Sequence, residues 1–201
     1  FFAVAFGGAF ADYPAARYLR RWVGPIRLQV FGNPTAADRQ TLDRIVGELN
    51  RLLRQSQGEA TPIQIQILAD GSPDGQANVK MYFVPRSEFR RVEPNYVEGN
   101  MGFFYVWWNS RLEMQRSRIL ISTTGIDQTA RSHLIREELT QSLGLMNDSW
   151  RDPESTFYQG WTLTQNFTDR DREAIRLLYD PRFHPGMSQE AVATQLKADG
   201  T

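Results

Sequence analysis

The chain has 201 residues, no cysteine, and 23 Lys and Arg against 23 Asp and Glu. The missing thiols exclude disulfide staples, cysteine zinc sites and thiol nucleophiles. Neutral balance with scattered basic residues, apart from Arg17, Arg20 and Arg21, argues against nucleic acid or an anionic membrane as partner.

The length suits a single domain over 1–201, opened by an arm over 1–20. No apolar run approaches the roughly twenty residues that cross a bilayer. The lead-in Phe1 to Gly8 is too short and lacks the basic flank of a signal peptide, so any such segment is expected to have been removed. A region over 22–125 is predicted to hold a sheet. Alternation from Ile26 to Val30 reads as a half-buried strand, stopped by Gly32-Asn33-Pro34. The period then changes: Leu42, Ile45, Val46, Leu49, Leu52 and Leu53 recur at steps of three and four, predicting a helix over 35–56 with Thr35 and Asp38 as a capping pair. Ile63, Ile65 and Ile67, then Val79, Met81 and Phe83, give two more strands on either side of the turn-rich Asp70 to Gly75.

The aromatic run Met101 to Trp108 predicts an edge strand and Arg118 to Ser122 a central one. Such a run can be a stacking platform, but aromatics favour pleated, buried surfaces and core packing is the leading reading. A helix is expected over 127–144, capped by Asp127 or Thr129 and ended at Gly144. The remainder, 145–201, reads as a loop-rich part with a helix from Thr168 to Tyr179 and another over Gln189 to Lys197.

The helix over 127–144 carries Glu137-Glu138-x-x-Gln141-x-x-Gly144-x-x-Asn147, which has the spacing of the metzincin pattern HExxHxxGxxH with each histidine replaced. Four residues turn a helix by about 40° past a full turn, so His133, Glu137 and Gln141 form one axial row, with Ile135, Leu139 and Leu143 on the opposite side. An apolar back and a polar front describe a helix that borders a cleft. Glu, Gln and Asn are poor zinc ligands, so the chemistry points to no metal or to a hard divalent cation held by Glu137, Gln141, Asn147 and Asp148. Glu138 takes the place of the general base. The accessory candidates are His133, one turn before Glu137, and Tyr179, His184 and Met187 in the turn-rich segment that can return beneath the site helix. Three readings stay open: a structural or catalytically silent site, a non-zinc metal site, and metal-dependent or metal-free hydrolysis.

On Ile135 to Leu145 with Asn147-Asp148-Ser149, and on Leu177 to Arg182 leading to Pro185-Gly186-Met187, the chain resembles a bacterial family known as domain-of-unknown-function family 2927, which is grouped with zincin-like peptidases. The similarity extends over Phe2 to Phe6 and Trp22 to Val30, most of the chain. The resemblance implies an α+β, zincin-like mixed sheet of about five strands, with an N-terminal helix packed on it, an active-site helix beneath and a small helical C-terminal part. It places Met187 or the turn at Tyr179 where metzincins carry their Met-turn. It further implies a periplasmic or extracellular mature protein, its signal sequence removed, with a lipoprotein anchor in some members. The functional expectation is an exported, atypical or inactive metallopeptidase-like hydrolase with a peptide-binding cleft. The alternative is a non-catalytic cell-envelope interaction module using the aromatic run Phe103 to Trp108 and the arm Phe1 to Phe10. Partners are then peptide or an envelope protein; the oligomeric state is open.

Overall fold

The computed structural model describes residues 1–7, 14–57, 63–73 and 75–198. Residues 8–13 of the N-terminal arm, Phe10 included, and Asp74 of the turn after the second strand therefore lie outside the described residues.

A short helix α1 (Phe2–Ala5) and a 3-10 turn (Pro14–Arg17) lead into strand β1 (Ile26–Gly32), the long helix α2 (Ala36–Gln57), and strands β2 (Ile65–Ile67) and β3 (Val79–Val84). A 3-10 turn (Arg86–Glu88) and helix α3 (Phe89–Val92) precede β4 (Gly102–Trp108) and β5 (Met114–Ser122). Helices α4 (Gln128–Gln141), α5 (Asp169–Leu178) and α6 (Gln189–Ala198) complete the chain. The sheet order is β2-β1-β3-β5-β4; the first three pairings are parallel, and β4 runs antiparallel to β5 along the edge. This is the expected α+β architecture: a five-stranded mixed sheet, a long helix packed on it, the site helix under the edge, and a helical C-terminal part.

The helix starts follow the capping chemistry in the sequence. Thr35 and Asp38 bond reciprocally, Thr35 N to Asp38 Oδ2 at 2.8 Å and Asp38 N to Thr35 Oγ1 at 3.1 Å. Asp127 rather than Thr129 caps α4, accepting from Ala130 N at 2.8 Å. Thr168 forms a second capping box with Asp171 at the start of α5. Strand β5 begins four residues before the expected Arg118, because the segment from Met114 to Ser117 runs beside the well-marked β4 although its own sequence is mostly polar.

Strand residues divide by parity. Val79, Met81, Phe83, Val106, Ile119 and Ile121 join the main core with the inner faces of α2 and α4, while Phe103 and Leu120 on the other sheet face pack with Phe89 and Tyr96 in a smaller cluster. The aromatic run is thus mainly packing: Phe103 and Val106 are buried, and Phe104 and Trp108 lie against the main core. Val4 and Phe6 of the arm are buried in that core as well.

Polar contacts fix the site helix in azimuth. Arg136, 1 % exposed, pairs with Glu48 of α2 at 3.0 Å, and Glu48 also holds Arg172 of α5 at 2.6 Å. The Arg136 guanidinium lies 4.2 Å from the Phe167 ring centroid. At the other end of α4, Arg131 pairs with the buried Asp38 at 3.0 Å. Two helices, α2 and α5, are therefore tied to α4 through charge: Glu48 bridges Arg136 and Arg172, and Asp38 holds Arg131.

Candidate functional site

Helix α4 is buried along its back, where Ile135, Leu139 and Leu143 are fully enclosed. Its front faces a cleft of about 650 Å³, lined from the helix by His133, Leu134, Glu137, Glu138 and Gln141. Residues along β4 and the loop before it form one wall, and Tyr158 to Thr162 form the other. The polar row read from helical spacing is therefore brought to one side of one cavity.

Gly102 sets how closely strand and helix approach. A Cβ there would collide with Glu138 Oε1 and crowd Leu134 Cδ2 at 2.9 Å, so the first residue of the edge strand must lack a side chain for Glu138 to pass beneath it. Gly144 does the same at the other end of the motif: its φ of +127° and the carbonyl of Arg20 against its Cα leave no room for a side chain.

Burial, and then the neighbouring charges of Glu137 and Asp148, push the Glu138 carboxyl well above the usual range and favour its neutral form. Burial and Glu137 likewise raise Asp148 to about 6, against the opposing hydrogen bond from Gln141. That bond, Gln141 Nε2 to Asp148 Oδ1, is 2.5 Å long. His133 Nε2 lies 3.3 Å from Glu137 Oε2, and its Nδ1 contacts the Thr164 carbonyl at 2.9 Å. Burial opposes a charge on His133, but Glu137 and the Thr164 carbonyl together outweigh it and raise its pKa. A neutral Glu138 donates a proton in a hydrogen bond; it activates water only once ionised.

The proposed ligand set is divided by the fold. Glu137, Gln141 and Asp148 line the cleft, whereas Asn147 does not, its Nδ2 donating to the Phe6 carbonyl at 2.5 Å. Among the described residues no three His, Cys, Asp or Glu side chains gather as a group that could hold a metal ion. With Gln141 presenting its amide N–H to Asp148 and Asn147 tied to the arm, these residues do not fit a zinc or hard-cation cage.

Of the accessory candidates, His133 belongs to the cleft and the other three do not line it. Tyr179 is fully buried beneath the end of the site motif, its hydroxyl donating to the Leu143 carbonyl at 2.9 Å. Met187 packs on the core, and His184 is exposed with Nδ1 facing the Pro185 carbonyl at 3.0 Å. The turn at Tyr179 does return under the helix, as support for its end and without entering the cleft.

Sequence reasoning missed Gly102, Thr164 and the wall from Tyr158 to Thr162. The glycine had a legible signal, a lone small residue opening an aromatic strand. The wall had none, because its residues carry no period and its shape comes from distant anchors: Asp171 on α5 accepts from Ser155 Oγ and from Thr156 N, the latter at 3.0 Å.

The fold and cleft define an α+β protein whose site helix lies under an antiparallel sheet edge and presents carboxyl and carboxamide groups to the cleft. The model of the family described as "Protein of unknown function (DUF2927)" matches residues 1–198, and the chain belongs to that family. No curated protein matches it. Two solved structures of myroilysin are similar: one at a TM-score of 0.46 and 12 % identity, covering 82 % of this chain and 97 % of that one. The other gives a TM-score of 0.49 and 9 % identity, covering 88 % and 91 % respectively.

Proposed function

We propose that this is an exported, zincin-like protein of peptidase-like fold that takes up peptide in extended form along β4, without a classical zinc centre. The observation that carries the reading is the edge of β4, which among the described residues pairs with β5 alone and borders the cleft with Glu138 directly beneath Gly102. An unpaired strand edge offers N–H and C=O groups to a backbone, and alternate side chains of an added strand would enter the cleft. Neutral Glu138 is then placed to donate to a carbonyl of that strand, and its ionised form to activate water. The periplasmic or extracellular location rests on the family resemblance. Among the described residues no helix is long and apolar enough to cross a membrane.

Phe103 and Val106 are buried and the rest of Phe103 to Trp108 half-buried, which weighs against the interaction-module reading; the exposed indoles are Trp150 and Trp161.

Binding of a library of blocked extended peptides, followed by mass analysis for cleavage, tests the proposal. Binding that weakens when the peptide backbone is N-methylated supports strand addition. Cleavage that disappears in Glu138→Gln makes the protein a hydrolase, and binding without cleavage makes it a silent relative. No binding by any peptide overturns the reading. Cell fractionation of a native producer tests export.

A further inference from the structure

Three side chains of the cleft are carboxyls, Glu137, Glu138 and Asp148, and among the described residues no Lys or Arg lines it. Glu137 has His133 and Asp148 has Gln141. Glu138 differs: it is 6 % exposed, lines the cleft, and has no hydrogen-bond or ion partner for its carboxyl among the described residues. Buried carboxyls are ordinarily satisfied, so an unpartnered one facing a cavity marks a place where a bound group supplies the missing contact.

The walls narrow what that group is. Phe104, Tyr158 and Trp161 border the same cavity, and Trp161 is 64 % exposed at its rim. Ring faces cannot ligate a metal ion, but they attract an organic cation, and carboxyls beside rings are the recurring environment of ammonium and guanidinium recognition. The guanidinium of Arg20, which stacks on Trp108 at 5.5 Å, belongs to a residue that does not itself line the cleft. An anionic side chain would meet the Glu137 and Asp148 carboxyls with no countercharge, and a purely apolar one would leave them without a cation.

Resting on the peptide-binding reading above, we infer that the cleft is selective for a basic side chain: the extended peptide laid along β4 places a Lys or Arg between Trp161 and the Glu137, Glu138 and Asp148 carboxyls. The aliphatic stem of such a side chain suits the apolar Phe104 and Leu134, while its charged end reaches the carboxyls.

The test uses wild-type protein and blocked peptides identical except for one central Lys, norleucine or Glu, titrated calorimetrically at neutral pH and low salt. Norleucine keeps the methylene stem and removes the charge. The Lys peptide is expected to bind at least about tenfold tighter than the norleucine peptide, with Glu weakest. That ratio should shrink in Glu137→Gln combined with Asp148→Asn, checked for folding by circular dichroism. Should the double variant not fold, the wild-type ratio still decides. Equal binding of Lys and norleucine peptides, or preference for Glu, overturns this inference and leaves peptide binding standing. Absence of binding by all three overturns both.

Discussion

Gly102 on the edge strand and Glu138 on the site helix are in direct apposition, the strand backbone resting where any larger residue would displace the carboxyl. The separation of strand and helix, and hence the depth of the cleft, is set by the absence of one methyl group.

Replacing Gly102 with Ala should therefore cost stability although alanine is no worse in a strand. The new methyl meets Glu138 Oε1, Glu138 Cγ at 3.0 Å and Leu134 Cδ2 at 2.9 Å, all on a helix anchored to α2 and α5 and unable to retreat. Overpacking of this kind costs about 1–3 kcal/mol. Urea unfolding of wild type and Gly102→Ala measures it, and an unchanged midpoint would show that α4 is free to move.

Asp148 makes stability depend on pH in the sense opposite to a salt-bridged carboxylate. Its folded pKa is raised to about 6 from an ordinary 3.8, so the folded state holds the proton more tightly than the unfolded chain. The contribution is fully present below pH 4, is lost as pH rises through 6, and is constant above. The displacement corresponds to at most about 3 kcal/mol before solvent screening is discounted. Asp148→Asn keeps the oxygen that accepts from Gln141 and removes the titration. The wild type should lose stability relative to this variant between pH 4 and pH 6.5, measured by denaturant titration at each pH.

Glu48 is the common anchor of two guanidiniums, Arg136 and Arg172. Truncating it leaves the buried Arg136, stacked on Phe167, without its countercharge. Loss of one partner of a buried pair costs about 3–5 kcal/mol. Glu48→Ala should show that in thermal and urea unfolding, whereas replacing both Glu48 and Arg136 with apolar residues should recover part of it.

The strands β1, β3 and β4 and the helices α2, α4 and α5 were legible because each carries its own period and cap: Ile26 to Val30 alternate, Leu42 to Leu53 step by three and four, and Thr35, Asp127 and Thr168 each begin a helix. The row His133, Glu137, Gln141 was legible for the same reason, since helical geometry alone determines it. Asn147 was misplaced because it lies beyond Ser142, where the helix has ended and spacing no longer predicts direction; its side chain turns to the Phe6 carbonyl. The partner of His133 at Thr164 and the wall at Trp161 depend on a coil whose path is decided by contacts more than ten residues away.

That dependence supplies the last prediction. Asp171 is buried at the start of α5, where its carboxylate accepts from Thr168 N and Thr156 N, each at 3.0 Å, and from Ser155 Oγ. It thus closes the capping box of α5 and ties down the segment that leads into Tyr158 to Thr162. Asp171→Ala removes all three hydrogen bonds at once and leaves two backbone donors in that region unsatisfied, a loss of about 2–4 kcal/mol. The Trp161 wall should loosen with it: amide exchange over 155–162 is expected to accelerate more than exchange in α4, and peptide affinity to fall. Equal acceleration throughout the chain would mean that Asp171 supports the whole fold and has no particular hold on the cleft wall.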